Sequence, residues 1–133
     1  MIVDGHVHIG DRDPVWGKAR FDGDDLISLM DEPIRVLGEE VRVDRAVAMP
    51  RIGATTVAGV SFADQHKVVV DAVAKYPERL SGNFVLNPRL GLDEGLAELR
   101  RLVGTGTFRM VKLHPTLHNY WPQEAALTYP IFE

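Results

Sequence analysis

The feature that most constrains the fold of this chain is an alternation between short apolar runs and stretches with helical spacing. The runs cover residues 2–10, 43–50, 80–88 and 108–115. Between them lie three stripes: Leu26, Met30, Ile34 and Leu37; Phe62, His66, Val69, Val73 and Tyr76; Leu92, Leu96, Leu99 and Val103. Apolar residues three and four apart line one face of a helix. Strand–helix alternation of this kind implies a parallel sheet with right-handed crossovers, an α/β fold. The second strand is expected at residues 45–49, ended by Pro50. In the first helical stretch, Asp22-Gly-Asp-Asp offers an N-cap and first-turn carboxylates. Pro33 interrupts that stripe, so a kink or two short helices is expected, with Gly38 as the stop. His66 sits on an apolar stripe and reads as a helix-face residue beside the core. Residues 11–21 and 52–61 read as loops. Trp16, Lys18 and Arg20 in the first loop could touch a substrate or simply be solvated. No repeat, low-complexity tract or linker breaks the pattern, so one domain over residues 1–133 is expected.

The first run, Ile-Val-Asp-Gly-His-Val-His-Ile-Gly, ends in a His-x-His pair. Side chains alternate along a strand, which places Asp4, His6 and His8 on one face. Two imidazoles there can bring their nitrogens to the ~2.0–2.1 Å that zinc prefers. Gly10 then lets the chain turn away and leave the site open. The sequence has no cysteine, so a metal must be held by His, Asp, Glu or a modified Lys. On the fourth run, Phe108, Met110, Lys112 and His114 share one face, while Arg109, Val111 and Leu113 share the other and are expected against helices. An inward lysine needs a partner, because an unpaired buried ammonium is costly, and Asp4 and the metal-side carboxylates are the obvious candidates. Arg51, following the second run, could hold a substrate carboxylate through its planar fork or be an exposed loop arginine. Asn87, just before Pro88, could face the site or form the turn.

Composition narrows the class of partner. The chain has 133 residues, 45% hydrophobic and 26% charged, with a net charge of −4. That balance gives no reason to expect nucleic acid or an anionic membrane as partner, and a small-molecule substrate is expected instead. No apolar stretch approaches the ~20 residues of a membrane span. The N-terminus has neither the basic nor the apolar region of a signal peptide, and a cytoplasmic location is expected.

Ile-Val-Asp-Gly-His-Val-His resembles the first strand of the amidohydrolase superfamily, in the amidohydrolase-related branch that contains both hydrolases and non-oxidative decarboxylases. Val-Lys-Leu-His-Pro resembles that branch's fourth strand. Thr-Tyr-Pro-Ile-Phe-Glu at residues 128–133 resembles the segment that begins its fourth helix, so the resemblance spans the chain. It implies (β/α) repeats with parallel strands, the N-terminal half of a TIM-type (β/α)8 barrel. It also implies that His6 and His8 bind a divalent metal, zinc by default and manganese as the alternative. The implied activity is hydrolysis, with metal-activated water attacking an amide, lactone or similar carbonyl; non-oxidative decarboxylation is the alternative.

Lys112 and His114, on the strand-four segment that carries the resemblance, are candidate catalytic residues, and Arg51 and Asn87, by their places at strand ends, are candidate substrate-binding residues. Elsewhere in the superfamily a strand-four lysine becomes carbamylated and bridges two metals; a structural ion pair is the competing reading of Lys112. A rim histidine capping its loop is the competing reading of His114. A full barrel needs ~250 residues, so this chain is expected to stop after strand four. The family's strand-five histidine and strand-eight aspartate would then lie outside it, with His118 the one spare histidine near the rim. Such a chain is expected to be inactive alone, with Ile2, Phe108 and Met110 exposed on its inner face. It would self-associate through its open edges or require the C-terminal half. A catalytically silent fragment and a binding module that kept an anion or metal site are the other readings.

Overall fold

The structure is a computed structural model that describes residues 1–11, 19–51 and 55–133. In chain order the elements are β1 (Val3–Ile9), α1 (Gly23–Asp31), β2 (Ile34–Val36), β3 (Glu39–Val41), β4 (Arg45–Pro50), α2 (Phe62–Lys75), β5 (Leu80–Val85), α3 (Leu92–Val103), β6 (Phe108–Lys112) and α4 (Ala125–Thr128). A 3-10 turn over Tyr129–Ile131 follows. Four strands form a parallel sheet in the order β1-β4-β5-β6. Parallel strands alternating with helices fit the partial TIM-type (β/α) barrel that the resemblance implies. Among the described residues no helix is long and apolar enough to cross a membrane.

Local chemistry explains where α1 starts and stops. Asp22 Oδ1 accepts the amide N–H groups of Asp24 and Asp25, while Asp25 Oδ2 accepts that of Asp22. This reciprocal cap satisfies donors that the first helical turn leaves unpaired. The stripe expected to continue beyond Pro33 does not. Glu32 is held extended by the proline that follows it, and β2 and β3 form an antiparallel hairpin instead. Its two-residue turn is Leu37-Gly38, with φ of 51° and 89°, the left-handed pair that a tight hairpin needs. Leu26 and Met30 are buried as expected, but Ile34 and Leu37 are 47% and 101% exposed.

The core lies between the helices and one face of the sheet. Ala46, Ala48, Leu80, Phe84 and Leu86 meet Phe62, Val69 and Val73 of α2 and Leu96, Leu99 and Leu102 of α3. In α3, Leu102 replaces the expected Val103, which is 48% exposed. The buried face is centred on Gly95, which lets the helix approach so closely that a Cβ there would stand 2.4 Å from Leu86 Cδ1.

His66 is a core residue, as its place on the stripe indicates. It is fully buried and stacked on Phe84, with ring centroids 4.1 Å apart and planes 4° from parallel. Its Nδ1–H donates to the Phe62 carbonyl at 2.8 Å, and its Nε2 accepts the Val85 amide N–H at 2.9 Å. The neutral ring thus ties α2 to β5, and burial pushes its pKa down to about 4.

A bulge changes the reading of β6. Gly82 pairs with Phe108, but the next residue of β5, Asn83, pairs with Met110. Arg109 is therefore an extra residue, and alternation is reset across it. Phe108 turns to the helix side, 2% exposed, with its ring over Gly82 and edge-on to His66. It does not line the inner face as expected. Ile2 and Met110 are exposed, at 38% and 46%, and β1 and β6 are the two edges of the sheet.

Candidate metal centre

A second bulge builds the site. Asp4 pairs with Ala46 and Val7 with Ala48, so three steps along β1 span two along β4. Asp4 Oδ1 accepts the His6 amide N–H at 3.0 Å and fastens the loosened backbone. Beyond the bulge Val7 and Ile9 pack on the helix-side core, and His8, paired with Met49, lies on the inner face. Asp4 does not share that face as expected, because it is in register with the core residue Ala46 and its carboxylate binds its own strand.

The bulge brings the two imidazoles together. His6 Nε2 and His8 Nε2 lie 3.1 Å apart, with ring centroids separated by 5.0 Å. Two nitrogens at that spacing, each ~2.0–2.1 Å from a common ion, subtend about 100°, close to a tetrahedral angle. His8 Nδ1 is 2.7 Å from the Pro50 carbonyl, which can only accept, so His8 carries its proton on Nδ1. Its Nε2 lone pair is left facing His6. A carbonyl holding the far nitrogen is the usual way a ligating histidine is oriented. Burial lowers the His8 pKa against the opposing effect of Pro50, and His6, Lys112 and Arg51 lower it further. His8 is therefore neutral at pH 7, the form that coordinates a metal. Among the described residues no third His, Asp or Glu completes a cluster with this pair. The donors fit a divalent ion in type and spacing but supply only two of its ligands.

The other candidates divide between the inner face and the rim. Lys112 pairs with Val85 on the inner face, and its charge is felt at His8. The expected ion pair is missing: no carboxylate among the described residues bonds Lys112, and Asp4 is turned to the backbone. Arg51 leaves the sheet beside Gly10, with its amide N–H on the Ile9 carbonyl at 3.1 Å. Asn87 is buried and forms its turn, its Oδ1 accepting the Arg89 N–H at 3.1 Å. Its Nδ2 also donates to the Thr55 carbonyl at 2.9 Å, stapling the loop after β4 to the loop after β5.

His114 follows β6 and caps its own loop, with Nδ1 accepting the Leu117 N–H at 3.3 Å. His118 is buried 6.1 Å from it, ring to ring, with Nε2 3.3 Å from Thr55 Oγ1. Its Nδ1 lies by the Leu86 carbonyl, short of good hydrogen-bond geometry. Burial holds the His118 pKa down to about 4. Arg20 is exposed beside Asp11 and Asp22, at 3.5 and 3.6 Å. Trp16 and Lys18 lie outside the described residues.

One residue escaped the sequence reading. Asn83 is 3% exposed, and its Oδ1 has no hydrogen-bond partner among the described residues. Its neighbour Phe84 faces the helices, so alternation turns Asn83 to the inner face. A polar residue in the apolar run Leu-Ser-Gly-Asn-Phe-Val-Leu was the available signal. The sequence matches a family model described as Amidohydrolase over residues 3–133. No curated protein and no solved structure matches it.

Proposed function

The chain belongs to the amidohydrolase family, and we propose that His6 and His8 hold the divalent metal of a metal-dependent hydrolase. Zinc is the default ion and manganese the alternative. The observation that supports this is the 3.1 Å approach of two Nε2 atoms, with the His8 proton fixed on the opposite nitrogen by Pro50. When bound, the ion supplies Lewis acidity towards water and a substrate carbonyl, the requirement for opening an amide, lactone or similar group. The chain's own residues hold and orient. His8 keeps its lone pair aimed at the site, and His6 would ligate as the neutral ring with its proton on Nδ1. Lys112 presents a positive charge beside them. That cation, which no carboxylate of the described residues bonds, favours non-oxidative decarboxylation of a carboxylate substrate as the second reading.

Two protein ligands leave the coordination incomplete, so water, further chain or a partner supplies the rest. Binding is therefore expected to be weak, and the chain alone is expected to turn over no simple ester or lactone. Equilibrium dialysis against zinc tests the assignment. His6→Ala and His8→Ala should each lower zinc affinity by at least tenfold, while His114→Ala leaves it unchanged. Equal losses in all three, or none in the first two, would refute it.

A further inference from the structure

We propose that the free edge of β3 is a self-recognition site, where two copies of this chain join their β2–β3 hairpins into one antiparallel four-stranded sheet about a two-fold axis at Val41. The inference does not depend on the metal reading. The hairpin lies between α1 and the start of β4, at the end of the sheet opposite the histidine pair. None of its side chains belongs to the hydrophobic core. Ile34 and Val36 share one face with Val41, which pairs with Ile34, and both are close to half exposed. A two-stranded hairpin is marginal by itself in water, and each of its edges is a template for another strand.

Register selects the edge. In a two-residue hairpin the pair that closes the turn, here Val36 and Glu39, is hydrogen-bonded, and bonded pairs then alternate along the strands. Glu39 and Val41 therefore direct their main-chain groups at β2, while Glu40 and Arg42 point theirs to the free side. Among the described residues no backbone group outside the hairpin takes them. A second β3, running antiparallel with Val41 opposite Val41, would bond those groups in two pairs, each joining Glu40 of one copy to Arg42 of the other.

Charge selects the partner. Within one copy Glu40 and Arg42 lie 3.6 Å apart on one face of β3, and both are more than half exposed. An exposed pair of this kind contributes little alone. In the paired sheet each Glu40 stands directly opposite the second copy's Arg42, so four charges alternate in sign, and opposed unlike charges stabilise a strand pair. On the other face Ile34 and Val41 of both copies form one apolar row. The edge of β2 lacks this fit, because pairing with itself about its central residue sets Arg35 against Arg35, a destabilising arrangement. A strand edge that complements itself about a two-fold axis takes a second copy of this chain as its occupant. Three residues of edge make a small interface, so the dimer is weak and concentration-dependent.

The chain has no cysteine, so single-cysteine variants report the contact. Val41 would face its copy as a non-hydrogen-bonded pair with Cα atoms ~4.5 Å apart, within the reach of a disulfide. Val41→Cys and Val36→Cys are each treated with diamide at high micromolar concentration, and covalent dimer is followed by non-reducing electrophoresis. Random collision favours position 36, the more exposed of the two. The expected result is the reverse, with Val41→Cys linking at least tenfold faster. In the Val41→Cys background, Glu40→Arg and Arg42→Glu should each slow linking at least tenfold, because like charges then face each other. An equimolar mixture of those two variants should link at close to the original rate, because the two changes set unlike charges opposite each other again. Association through β1 and β6 responds to neither change, so the readout belongs to the hairpin. If Arg42→Glu fails to fold, the two cysteine positions and Glu40→Arg decide. Linking at Val41→Cys no faster than at Val36→Cys, a rate unmoved by Glu40→Arg, or a mixture no faster than either variant alone overturns the proposal.

Discussion

Acid should unfold this protein through His66, and the effect can be sized from the structure. In the unfolded chain the ring titrates at its ordinary 6.5, while in the folded protein burial lowers this to about 4. Between those values the unfolded state binds more protons, so stability falls as pH falls. The contribution is complete above pH 6.5, is lost progressively towards pH 4, and changes no further below that. A drop from 6.5 to about 4, at ~1.4 kcal/mol per tenfold change in proton affinity, gives about 3 kcal/mol. Burial penalises the charged ring, and a protonated Nε2 could no longer accept the Val85 N–H.

The His66→Gln variant removes the titration. At pH 7 it should be less stable than the wild type by about 2–4 kcal/mol, through loss of the Phe84 stack and of one buried hydrogen bond. Urea denaturation followed by circular dichroism from pH 7.5 to pH 4 should show the two stabilities converging. His118 titrates in the same direction, but it is present in both proteins and cancels. Parallel pH profiles, with a constant gap between variant and wild type, would refute the reasoning.

Two further outcomes follow from packing and from the sheet edges. Gly95→Ala would raise helix propensity by ~1 kcal/mol, yet the new Cβ would stand 2.4 Å from Leu86 Cδ1 and 3.0 Å from Phe62 Cζ. Overpacking at about 1–3 kcal/mol should win, and a melting temperature below the wild type's is the expected result. The chain should also self-associate at micromolar concentration, since β1 and β6 are open edges and Ile2, Val3, Met110 and Val111 are 38–48% exposed along them. Sedimentation velocity showing a monomer that unfolds cooperatively would count against this.

Much of the fold could be read from the sequence because its signals are local. Hydrophobic periodicity marks α2 and α3 within a residue or two, since burial of one helical face depends on spacing alone. Pro50 and the cap residue Asp22 act on their own backbone neighbours. The His-x-His pair marked the candidate site for the same reason. What the sequence could not decide was register, which depends on a neighbouring strand.

A bulge between Asp4 and Val7 gathers His6 and His8 while turning Asp4 away, and a bulge at Arg109 sends Phe108 to the core. Neither extra residue is visible until two strands are paired. Beyond Pro33 the apolar spacing of Ile34 and Leu37 suited a helix, and the left-handed turn at Leu37-Gly38 made a hairpin of it. The missing partners of Lys112 and Asn83 belong to the same class. Residue type announces that a charge or an amide needs a partner, but only the assembled sheet shows that none of the described residues provides one.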